Sequence, residues 1–64
     1  MLPVNKHYIS PAELAEILSI SKLTIYGWTE RHEIPFFKIG RLVRFDVDEI
    51  TAWLKDRKVL PYEN

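Results

Sequence analysis

A chain of 64 residues makes one small domain that buries only a modest fraction of its surface, so its stability rests on a short set of apolar side chains. There is no cysteine, which excludes disulfides and thiolate metal sites; zinc would have to rest on His7, His32 and carboxylates, and no metal or cofactor is expected. The formal net charge of zero counts against a nucleic-acid binder, yet charge is segregated: Lys38, Arg41 and Arg44 lie in a stretch without acids, and Asp46, Asp48 and Glu49 in the next, without bases.

Residues 1–6 hold no apolar run and no stretch approaches a membrane span, so the chain reads as cytoplasmic, without a secretory signal or a membrane partner. The first helix is predicted over 11–18. Ser10 is its cap, Pro11 suits the first helical position, Glu13 completes a capping box, and Ile9 and Leu14 are spaced as a hydrophobic staple. Leu14, Ala15, Ile17 and Leu18 recur at near-helical spacing. The layout repeats at Ser21, with Ile20 and Ile25 as the staple, and predicts a second helix over 22–30 with Ile25 and Trp28 inward. Only Ser19 and Ile20 separate the first helix from the cap of the second. Helices joined so tightly cross steeply, as in a helix-turn-helix. Ala15 falls where they approach most closely, and Ser19 stands where such turns often carry glycine.

His7, Glu30, His32 and Glu33 lack a metal-binding spacing and read as surface residues. From Ile34 to Phe45, Pro35 bars a helix, and the β-branched and aromatic residues predict a hairpin with its tip at Gly40-Arg41. Its register stays open by one residue. Val43 and Phe45 share one face, with Phe45 in the core, and Leu42 and Arg44 share the other. The third helix is predicted over 47–58, with Asp46 as cap, Glu49 answering it, and Phe45 and Ile50 as staple. Val47, Ile50, Trp53 and Leu54 form its inward stripe, and the tail 59–64, with Pro61, leaves the helix. Trp28, Trp53 and Phe45 sit at core positions rather than as base-stacking platforms. The fold class is mainly α with a small β-hairpin: a winged helix-turn-helix with a hairpin wing and a third helix, one domain with an ordered core of about 8–58. No nucleophile–base pair or phosphate loop is present, so an enzyme is not expected.

Residues 21–28 (S-K-L-T-I-Y-G-W), Ile34-Pro35, Lys38-Ile39-Gly40-Arg41, Val43-Arg44-Phe45, Ile50 and Trp53-Leu54 follow one another in an order that resembles the excisionase-like and AlpA-like winged helix-turn-helix proteins of phages and mobile elements. These are similar in fold to the DNA-binding domain of MerR-type regulators, and the resemblance runs from about Tyr8 to Leu54. It implies a second helix in the major groove and a hairpin wing on the adjacent backbone or minor groove. It further implies a role as recombination directionality factor or transcriptional regulator, with double-stranded DNA as partner. An integrase or recombinase, and further copies on adjacent sites, are the other partners it implies. Members commonly carry a basic residue where this chain has Gly27, so Gly27→Arg is expected to tighten binding.

The DNA-binding set that follows is Ser21, Lys22, Thr24, Tyr26 and Gly27 on the second helix and Lys38, Arg41 and Arg44 on the wing. Lys22 can reach a guanine edge or a phosphate, and Ser21 a phosphate beside the helix N-terminus. The ring of Tyr26 serves either as a groove contact or as cover for the edge of the core. The wing cations suit phosphate, with Arg41 at the tip the candidate for the minor groove; the alternative is an edge protected by charge. Two other roles fit the same fold: a DNA-packaging or replication accessory module, or a protein-interaction adaptor that has lost DNA binding. Zero net charge and Gly27 favour the last.

Overall fold

In the computed structural model, which describes residues 7–61, each helix begins at the cap residue that the sequence marks. The elements run β1 (Tyr8–Ile9), α1 (Pro11–Leu18), α2 (Lys22–Glu30), β2 (Phe37–Ile39), β3 (Leu42–Asp46) and α3 (Val47–Lys55). At α1 the capping box is complete: the Glu13 amide donates to Ser10 Oγ at 3.1 Å, and the Ser10 amide donates to Glu13 Oε1 at 2.9 Å. Ser21 caps α2 through the Thr24 amide, and Asp46 caps α3 through the Asp48 amide.

The turn after α1 is a Schellman motif. Ser19 adopts φ 58, its amide donates to the Glu16 carbonyl at 3.2 Å, and the Ile20 amide donates to the Ala15 carbonyl at 3.0 Å. The end of α2 repeats it. His32 has φ 56, with bonds from the His32 amide to the Thr29 carbonyl (3.1 Å) and from the Glu33 amide to the Trp28 carbonyl (2.8 Å). Each left-handed residue redirects the chain within one step, which sets α2 across α1 and sends the chain toward the hairpin.

The hairpin closes with Ile39 opposite Leu42, so Gly40 and Arg41 form its two-residue turn, and Gly40 takes φ 61. β1 is a departure from the expected lone hairpin. It pairs antiparallel with β3, Ile9 opposite Phe45, and makes a three-stranded sheet of order β1-β3-β2. Two residues are too short for an alternating pattern to register in the sequence. What fixes the strand is its partner: Ile9 and Phe45 are both buried, and the Val47 amide donates to the His7 carbonyl at 3.1 Å.

The core lies where the helix pair meets the inner face of this sheet. Ile9, Leu14, Ala15, Ile25, Ile34, Phe45 and Ile50 are buried, with Leu18, Ile20, Trp28, Val43, Val47 and Trp53 among the half-buried side chains packed on them. Burying a side chain such as Phe45 or Ile25, both fully enclosed, contributes about 1.5–3 kcal/mol. Two expectations fail at the end of the molecule. α3 stops at Lys55 rather than 58, because the Arg57 side chain folds back onto it. Arg57 Nη1 donates to the Trp53 carbonyl at 3.1 Å, and its guanidinium lies 3.9 Å from the Trp53 ring centre. Leu54 is exposed rather than inward: Trp53, packed edge-on against Trp28 at 5.3 Å, already closes the core on that side. Ile17 likewise faces solvent. Val59–Pro61 lie outside any helix, while the readings made on residues 1–6 and 62–64 fall outside the described residues.

Candidate nucleic-acid interface

Ile25 and Thr29 anchor α2 to the core with Trp28 beside them, and this decides which residues the helix shows to solvent. Ser21, Lys22, Leu23, Thr24 and Tyr26 are all exposed, over the first two turns. Ser21 Oγ lies 3.2 Å from Thr24 Oγ1 while it caps the helix, so both hydroxyls sit at the helix N-terminus. Tyr26 is exposed, and its carbonyl accepts a 2.8 Å bond from the Thr29 hydroxyl. At 42 % exposure the side chain is in part open to solvent and in part covered by its neighbours.

The helix projection puts Leu23 and Gly27 at the middle of the outward face, opposite Ile25 and Thr29. Leu23, 81 % exposed, is a prominent side chain there, and the sequence-predicted site does not include it. Only its phase against the buried pair marks it as outward. Gly27 makes the middle of this face flat. Glycine inside a helix costs about 1 kcal/mol relative to alanine. The space beside it is occupied: a methyl group on Gly27 would lie 3.3 Å from Nη1 of Arg31. The sequence pattern assigns Arg31 no role.

The three wing cations are not one cluster. Lys38 pairs with Val43, on the inner face of the hairpin, and edges a groove shared with Thr29, Glu30, His32 and Phe36 at the end of α2. Arg41 stands exposed at the tip beside Gly40. Arg44 lies opposite Phe37, on the other face, in a groove with Tyr8, Phe37 and Ile39, and donates to its own neighbour's carbonyl, that of Val43, at 2.7 Å. The Glu13 carboxyl is held below the ordinary glutamate range, first by the Ser10 amide, then by the Ser10 hydroxyl, with His7 and Arg44 adding to the effect. Arg44 thus stands with Tyr8 and Phe37 on the other face of the sheet, while Lys38 lies beside the end of α2 and Arg41 at the hairpin tip. Strand alternation separates residues 38 and 44; a count of local charge does not.

Among the described residues no three His, Cys, Asp or Glu side chains gather as a metal site requires, and no helix is long and apolar enough to cross a membrane.

Two helices joined through a tight left-handed turn, a two-stranded wing and a third helix packed against the sheet define a winged helix-turn-helix. The chain belongs to the family described as helix-turn-helix domain, whose model matches residues 8–58. This membership points to double-stranded DNA as the partner. No curated protein and no solved structure matches the chain.

Proposed function

We propose that this protein is a sequence-specific binder of double-stranded DNA. It acts in the cytoplasm as an excisionase or as a small phage-type transcriptional regulator, by binding alone and without catalysis. The observation that carries this reading is the outward face of α2. Ser21, Lys22, Thr24 and Tyr26 stand exposed along two turns whose N-terminus is open, and Lys38 lies beside the far end of the same helix. In a winged helix-turn-helix such a helix enters the major groove by its first turns. Lys22 then reaches a base edge or phosphate, Ser21 and Thr24 serve phosphate, and Lys38 and Arg41 rest on the backbone beside the groove.

The test is fluorescence anisotropy over a salt series, with circular dichroism as folding control. Two duplexes are compared: one selected by the protein from a randomised pool and one of scrambled sequence. Lys22→Ala is expected to weaken the selected duplex by about 1–3 kcal/mol and the scrambled one less. Arg41→Ala lowers both alike and flattens the salt slope by about one unit. Arg44→Ala has the smallest effect of the three.

A second reading rests on the outer face of the sheet, where Tyr8, Phe37, Ile39 and Leu42 are all exposed. Apolar surface of this kind suits a protein partner, such as a recombinase or a neighbouring copy. If no duplex is bound at any salt, the adaptor role takes the place of DNA binding.

A further inference from the structure

Gly27 and Arg31 make one device. Residues four apart in a helix lie on one stripe, one turn from each other. Because Gly27 has no side chain, the guanidinium of Arg31 lies back over it. A methyl group there would sit 3.3 Å from Nη1, 3.7 Å from Nη2 and 3.9 Å from Cζ. Glu33 Oε1 holds the Nε edge at 3.1 Å. Glu33 is itself fixed, since its amide donates to the Trp28 carbonyl and its carbonyl accepts from Trp53 Nε1 at 2.9 Å. The turn at His32 makes this possible by bringing residue 33 back beside the end of α2. Stability does not account for the arrangement. Both side chains are at least half exposed, where an ion pair contributes little, and glycine is the poorest non-proline residue for a helix interior.

We propose that Arg31, the residue that ends α2, is a second base-reading cation beside Lys22, its guanidinium projected back across Gly27 and pre-set by Glu33 to take the O6/N7 edge of a guanine in the major groove. This rests on the DNA-binding reading above and names a residue within it. With Nε held by Glu33, the two Nη groups face away from the tether, and two parallel donors are what a guanine edge accepts. A guanidinium already ordered loses less rotamer freedom on binding. Leu23, one turn before Gly27, is the apolar neighbour on the same stripe. Gly27→Arg would set a second guanidinium where the first already lies, so it brings no gain in affinity, contrary to the sequence expectation.

Anisotropy on the selected and scrambled duplexes tests this. Arg31→Ala is expected to weaken the selected duplex at least about tenfold and the scrambled one less than about threefold. Arg31→Lys does not rescue, because a point charge cannot bridge O6 and N7. Glu33→Gln, which keeps size but drops the charge on the tether, gives an intermediate loss. Replacing each guanine of the selected duplex in turn by 7-deazaguanine, which lacks N7, locates the partner. At one position the loss for the wild-type protein matches a loss that Arg31→Ala has already suffered, so the two do not add. Equal losses on both duplexes, or full rescue by lysine, would reduce Arg31 to a phosphate contact and overturn the proposal. Wild-type binding that Arg31→Ala leaves unchanged would overturn it alone. A wild-type protein that binds neither duplex would overturn the DNA-binding reading with it.

Discussion

Two non-glycine residues, Ser19 and His32, hold left-handed backbone at the ends of α1 and α2. For an L-residue this conformation costs roughly 1–2 kcal/mol, and glycine avoids it while giving back part of the gain as chain entropy in the unfolded state. Ser19→Gly is therefore expected to stabilise the domain by about 0.5–1 kcal/mol. That corresponds to a rise in Tm of several degrees by circular dichroism; a fall would mean that the serine side chain contributes more than its backbone costs. At Glu13 the effect depends on pH. Its folded-state pKa is lowered, chiefly by the Ser10 amide and hydroxyl. The stabilisation is thus complete above the ordinary glutamate pKa and lost as pH falls through the lowered one. Glu13→Gln should flatten the acid limb of the stability curve and leave its shape near neutrality unchanged, as urea melts across pH would show.

At the scale of elements, the close approach of α1 and α2 rests on Ala15, which is buried and whose carbonyl receives the Ile20 amide. Ala15→Leu forces extra volume into that crossing and should cost about 1–3 kcal/mol. An unchanged melting temperature would show that the crossing can open without loss. The helix starts were legible in the sequence because each is written chemically, as serine or aspartate ahead of an apolar staple. The bounds of α1 and α2 and the Gly40-Arg41 turn follow from such marks. Three things were not legible. β1 exists through its partner and has no pattern of its own. The end of α3 depends on Arg57 folding back onto Trp53, a contact between side chains that no propensity encodes. In the candidate site, Lys22, Thr24 and Tyr26 could be placed from the helix phase. Leu23 was hidden by its apolar character, Arg31 by standing at the helix end, and the separation of Arg44 from Lys38 by an open strand register.

At the scale of the whole molecule, one module of this size covers only about 600–1,000 Å² of DNA-facing protein surface. A single copy is therefore expected to bind a half-site weakly, with affinity rising when copies occupy adjacent sites. Titrations on one site and on a tandem array distinguish the two cases, and equal affinity per molecule would exclude cooperation between neighbours.

The pairing of residues 7–9 with 45–47 also sets how the domain comes apart. Every element from α1 to β2 lies within the loop that this clasp closes. The entropy of closing such a loop is met almost at once, by Ile9 against Phe45 and by the Val47 amide on the His7 carbonyl. Opening the clasp uncovers Phe45, the largest fully buried side chain, so few partly open states remain in which the helices persist alone. Amide exchange followed by NMR should accordingly show the Val47 proton as slow as those in the middle of α2, both released only by global unfolding, while the hairpin amide of Ile39 exchanges through local opening. If Val47 exchanges much earlier than α2, the clasp is a latch that opens by itself, and the helix pair holds its structure without it.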